Sequence, residues 1–229
     1  MLPEGPIHIH VAEQEREVAD CLAWSSQRPV EWLLDHAPVD ARWSLIHATH
    51  MTEAEVAALA RTGAVAGLCP VTEANLGDGT FRAREFLTQG GRIGIGTDSN
   101  VRIGVTEELR QLEYAQRLWH RERNVLAGEY SATGRALYQR AWHGGQQSLG
   151  IEPAGIAMGA PADVVSLARP LWEGDDPDGI LNGWIFANGV AVDVVWVAGR
   201  KVVTDGRHIR RNEIADRFRI AMRQLLAES

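Results

Sequence analysis

The stretch Pro6-Ile7-His8-Ile9-His10-Val11-Ala12-Glu13-Gln14 constrains this chain more than any other. Its residues alternate apolar and polar, as a short strand does. The strand runs into His10, and Glu13 follows three residues later. Two later stretches repeat the design. Trp43-Ser44-Leu45-Ile46-His47 is an apolar run ending on histidine, and Arg92-Ile93-Gly94-Ile95-Gly96-Thr97-Asp98 is one ending on aspartate. Three strands that each deliver a metal-type ligand or an acid–base group at the C-terminal end point to one site at the rim of a parallel barrel.

The segments between these strands read as helices. Gln14 to Trp24 places Val18, Leu22 and Ala23 on one face. Pro29 suits the first turn of a second short helix. Thr52-Glu53-Ala54-Glu55 is a capping box with Thr52 as N-cap, and Gly63 stops the helix it starts. Val65 to Leu68 is a further strand, and a loop holding Asn75, Gly77, Asp78 and Gly79 follows it. A helix from Phe81 to Thr88 leads to the strand Arg92–Gly96, and a long helix runs from Thr106 to Arg121. Alternation of this kind implies an α/β fold with a parallel sheet covered by helices. His10 and His47 are far enough apart for a βαβ unit, which takes about 30 residues.

Beyond the fourth unit the pattern changes. Arg135 to His143 reads as a helix closed by Gly144-Gly145. From Gly155 onward the chain reads as strands and turns, with strands at 162–167, 192–197 and 201–203. Glu173-Gly174-Asp175-Asp176-Pro177-Asp178 reads as a solvated loop. An amphipathic helix from Asn212 closes the chain, with Ile214, Phe218, Met222 and Leu225 at helical spacing. The expected domains are 1–150 for the barrel-like part, 151–209 for a small β portion and 210–229 for the terminal helix.

Composition narrows the function. With 229 residues, 45% hydrophobic and 23% charged, the chain can bury a sizeable core. A formal charge of −7 argues against nucleic acid or an anionic membrane surface as partner. Cys21 and Cys69 make no metal-type pair and no disulfide framework, which fits a reducing cytoplasm. No apolar run is long enough to cross a bilayer, and no basic region followed by an apolar core marks a signal peptide. The eight tryptophans read as core and interface packing. There is no Gly-x-Ser-x-Gly elbow, phosphate-binding glycine loop or Cys-x-x-Cys, which argues against serine or cysteine covalent catalysis.

The candidate chemistry lies in a few residues, each with a second reading. A strand histidine such as His8 or His10 is often a hydrogen-bonded core residue. Glu13 just beyond His10 favours function, because a carboxylic acid beside a metal ligand can trade protons with a leaving group. His47 or His50 could orient a water or polarise a carbon–nitrogen bond; His50 alternatively serves the loop or a cap. Asp98, after a glycine-rich strand that permits close approach, can bind a divalent metal and take a proton from its water, or cap a helix.

At these residues the chain resembles the amidohydrolase superfamily of metal hydrolases on (β/α)8 barrels. His10, His47 and Asp98 look like the residues that end the superfamily's strands five, six and eight. The stretches Gly159–Val165 and Val197–Val203 resemble its return into a small β-sandwich. Within it, the formiminoglutamate deiminases of histidine breakdown are the most similar in His10–Gln14, His47–Met51, Gly96–Asn100 and above all Thr72-Glu73-Ala74-Asn75-Leu76-Gly77-Asp78-Gly79. The fold implied is the C-terminal half of a TIM-type (β/α)8 barrel, strands five to eight, followed by part of a small β-sandwich and a C-terminal helix. The strand-one His-x-His would then lie in a missing N-terminal half, together with most substrate contacts.

The resemblance implies a divalent metal of the zinc type, held in part by His10 and Asp98. It further implies Glu13, His47 and Asp98 as catalytic groups and a small-molecule substrate. The implied reaction is N-formimino-L-glutamate plus water to N-formyl-L-glutamate plus ammonia. The alternatives are another deaminase of the superfamily, of the guanine type, or a non-catalytic truncated fragment. A half barrel is expected to bind metal weakly, to turn over little substrate, and to form a homo-oligomer or need its missing half.

Overall fold

The computed structural model describes residues 4–99, 102–130, 132–152, 155–168 and 176–227. Four parallel strands form its first sheet: β1 (Ile7–Val11), β2 (Trp43–His47), β3 (Val65–Leu68) and β4 (Arg92–Ile95), in the order β1-β2-β3-β4. The register sets His10 opposite Ile46 and Val11 opposite His47, so the C-terminal ends of β1 and β2 lie side by side. Helices α1 (Glu15–Ser25) and α2 (Pro29–His36) connect β1 to β2, and α3 (Glu53–Thr62) connects β2 to β3. Both halves of the Thr52 capping box form, and Gly63 ends α3 in the left-handed region at φ 75°, where a side chain would be strained.

Helices α4 (Pro70–Leu76) and α5 (Ala83–Thr88) connect β3 to β4, and α6 (Val105–His120) and α7 (Thr133–Leu149) follow. The core joins sheet and helices: Leu45, Ala66, Leu68 and Ile93 pack with Val56 and Leu59 of α3, Leu109 and Leu112 of α6, and Leu137 of α7.

Several sequence expectations need correction. Asn75 lies in α4, not in a loop: Pro70 begins the helix and Gly77, at φ 75°, ends it. Helix α7 runs straight through Gly144-Gly145. Gly144 is there for packing, since a Cβ on it would sit 1.9 Å from the Ile93 carbonyl oxygen. A further helix, α8 (Pro177–Phe186), occupies part of the segment read as strands and turns, and buries Ile185. It includes Pro177 and Asp178 of the acidic run; Glu173, Gly174 and Asp175 lie outside the described residues. No described tryptophan belongs to the buried core, Trp24 being 72% exposed; Trp172 lies outside the described residues. Trp43 and Trp184 are partly buried and pack against that core, while Trp32 stacks on His36. On α1 only Val18 of the expected face is buried.

The chain divides into two compact units, Met1–Pro153 with Asp175–Phe186, and Ala154–Gly174 with Ala187–Ser229. The second contains an antiparallel sheet, β5 (Val164–Leu167), β6 (Val192–Val197), β7 (Arg200–Thr204) and β8 (Arg207–His208), and helix α9 (Arg211–Ala227). Ile214, Phe218 and Leu225 of α9 are exposed. Among the described residues no helix is long and apolar enough to cross a membrane.

Candidate metal centre

The parallel register carries the ends of β1, β2 and β4 to one edge of the sheet, and the backbone there turns sharply. Ala12, His47, Ala48 and Asp98 all have positive φ, at 52°, 66°, 48° and 49°. Non-glycine residues adopt this region at a cost of about 1–3 kcal/mol each, and hold it only where surroundings enforce it. The loop after β1 is enforced by Glu17, whose two carboxylate oxygens accept from the backbone N–H groups of Ala12 (2.7 Å) and Glu13 (2.8 Å). Below it, the His50 N–H donates to the Ala12 carbonyl at 3.0 Å.

His47 is the centre of the arrangement. It is 1% exposed. Its Nδ1 lies 3.3 Å from Glu73 Oε1. Its Nε2 lies 3.7 Å from Glu13 Oε1 and 3.8 Å from Asp98 Oδ2, and is buried without a hydrogen-bond partner. A buried polar atom left this way is costly unless something else meets it. Burial pulls the His47 imidazole down, but the Glu73 hydrogen bond and the charges of Glu13, Glu73 and Asp98 outweigh it and leave the pKa raised above 6.5.

The carboxylate behind His47 is itself fixed. Glu73, in the first turn of α4 and 4% exposed, also accepts from the Cys69 N–H at 3.0 Å. Cys69 is buried beside it, and burial pushes its thiol up to about 12. Glu108 on α6 is fully buried; one oxygen accepts from the Val71 N–H at 2.9 Å, while the other has no partner. Burial pushes its carboxyl up to about 7, against the pull of the Val71 hydrogen bond.

Of the residues singled out in the sequence, His47, Glu13 and Asp98 come together. His10 stands next to them, its ring centroid 5.3 Å from that of His47. His8 does not join: its Nε2 is 2.7 Å from the Ser148 carbonyl of α7. His50 sits beside Gly79, where a Cβ would meet its ring at 3.4 Å. Asn100 of the Gly96–Asn100 stretch lies outside the described residues. Sequence reasoning missed Glu17 and Glu108, and gave no role to Cys69 or to Glu73, although Glu73 lies in the run that most resembles the deiminases. For Glu73 the available signal was a carboxylate in the first turn of a helix opened by Cys69-Pro70, a place that favours bonding back to free N–H groups.

A family profile described as "Amidohydrolase family" matches residues 5–202. Formimidoylglutamate deiminase of Pseudomonas aeruginosa is 52% identical over 230 residues, covering 96% of this chain and 50% of the relative. The crystal structure of an amidohydrolase from Brucella melitensis superposes with TM-score 0.93 at 57% identity, covering 98% of this chain and 50% of that one. An adenosine deaminase from Xanthomonas campestris with bound zinc gives TM-score 0.80 at 26% identity, covering 96% and 51%. The chain spans about half the length of these relatives.

Proposed function

The chain belongs to the amidohydrolase family, and on that premise we propose that it supplies part of a metal-dependent site that hydrolyses the carbon–nitrogen bond of N-formimino-L-glutamate, giving N-formyl-L-glutamate and ammonia. In this reading β1 to β4 are strands five to eight of a (β/α)8 barrel, and a partner segment supplies the remaining strands and ligands. The observation that carries it is the buried, unbonded Nε2 of His47, faced by Glu13 and Asp98. The 52% identity to a deiminase supports the substrate.

Imidazole and carboxylate donors fit a zinc-type divalent ion, which His10 and Asp98 would hold. Such an ion, when bound, lowers the pKa of a water toward neutrality. Asp98 takes the proton of the attacking water on a carboxylate oxygen. His47, held at Nδ1 by Glu73, donates from Nε2 to the oxygen that adds to the reacting carbon, where negative charge is carried as that carbon becomes tetrahedral. Glu13, fixed at its backbone by Glu17, relays both protons of the water, the first by way of Asp98, to the departing nitrogen, which leaves as ammonia.

Ammonia release from formiminoglutamate and from purine nucleosides, measured on this chain joined to the half its deiminase relative has in addition, tests the substrate. Release from formiminoglutamate alone is expected. Preference for a purine would overturn the assignment.

A further inference from the structure

Among the described residues, one group of three metal-type donors lies close together: His47, Cys69 and Asp98, each offering one ligand atom, all within 4.8 Å of one another. The thiol has no place in the proposed hydrolysis. Its position is nevertheless defined. Cys69 directly follows β3, between the ends of β2 and β4, with its N–H tied to Glu73. The Cβ that Gly96 lacks would lie 3.6 Å from the Cys69 sulfur. The third residue, His47, is 1% exposed, and its Nε2 has no hydrogen-bond partner and lies 3.8 Å from Asp98 Oδ2.

We propose that His47 Nε2, Cys69 Sγ and an Asp98 oxygen form a seat for a thiophilic divalent cation, such as zinc, cadmium or cobalt. One nitrogen, one sulfur and one oxygen are a donor set that zinc accepts, with a metal–sulfur bond of about 2.3 Å and a fourth position left to water. Sulfur ligation selects for soft and borderline ions over magnesium or calcium. On binding, the Cys69 S–H bond breaks, its proton goes to solvent and the thiolate electron pair forms the metal bond. The seat shares Asp98 with the His10–Asp98 pair and consumes His47 Nε2. A cation here therefore blocks hydrolysis, and excess thiophilic metal inhibits the assembled enzyme. The seat needs neither His10 nor the deiminase assignment, so it stands or falls separately from them.

Titration of the reduced chain with cobalt or cadmium, followed by absorbance, tests it. A sulfur-to-metal charge-transfer band that saturates at one metal per chain is expected. The band should vanish in Cys69→Ser and persist in Cys21→Ser and His10→Ala. Loss of a direct ligand should weaken binding at least about tenfold, since even outer partners of a ligand cost that much. Sulfur scattering at the zinc X-ray absorption edge of the unsubstituted chain gives a second readout that does not depend on any variant folding. Metal binding without a sulfur band, a band that survives in Cys69→Ser, or no binding at all would overturn the proposal.

Discussion

Glu108 is the residue whose chemistry makes the sharpest quantitative demand. Its carboxyl is fully buried and raised from 4.5 to about 7, so the folded chain holds that proton more tightly than the unfolded chain does. Stability must then fall as pH climbs from about 4.5 to about 7, with the whole penalty present above that window. Glu108→Gln keeps an oxygen for the Val71 N–H and removes the charge. It should raise stability by ~1–3 kcal/mol at pH 8 and by nothing measurable at pH 4, read from denaturant melts. An equal effect at both pH values would show that the charge is not responsible. His47, Glu13 and Asp98 stood out in the sequence because each ends, or follows just after, an apolar strand. No role could be assigned to Glu73, Cys69 or Glu108 from the sequence, because their roles come from burial and from contacts across the fold. Glu73 reaches His47 from α4, and Glu108 reaches Val71 from α6. Neither contact has a signature in local spacing.

At the scale of elements, the parallel strands and the helix caps were legible because each rests on short-range patterning. The capping box at Thr52 and the stop at Gly63 are complete within a dozen residues. Gly144, unlike Gly63, was read wrongly. Gly144 carries the mark of a helix end, yet α7 continues through it, because only a missing Cβ lets the helix lie against the Ile93 carbonyl. Gly145 next to it meets nothing within 4 Å. The two should separate cleanly on substitution. Gly144→Ala should destabilise by about 3 kcal/mol or more, since backbone must move to admit the methyl. Gly145→Ala should be neutral or stabilise by up to about 1 kcal/mol through helix propensity. Thermal melts of the two variants give the comparison, and similar losses in both would contradict this packing account.

For the molecule as a whole, the first sheet leaves β1 and β4 each with one strand neighbour among the described residues. Unpaired strand edges recruit partners. Helix α9 adds exposed Ile214, Phe218, Leu225 and Leu226. We therefore expect this 25.2 kDa chain to self-associate at micromolar concentration in light scattering; a monomer mass held across a hundredfold dilution series would count against it. In the function proposed above, the ends of these strands form part of a deiminase site. The most direct measurement of that function is ammonia release by a chimera in which this chain replaces the half of its Pseudomonas aeruginosa relative that it matches. The folded, zinc-loaded chimera should hydrolyse N-formimino-L-glutamate and lose at least about 100-fold in rate on Asp98→Asn, the scale of a lost acid–base group. A folded, zinc-loaded chimera that releases no ammonia, or one indifferent to Asp98→Asn, would contradict the account.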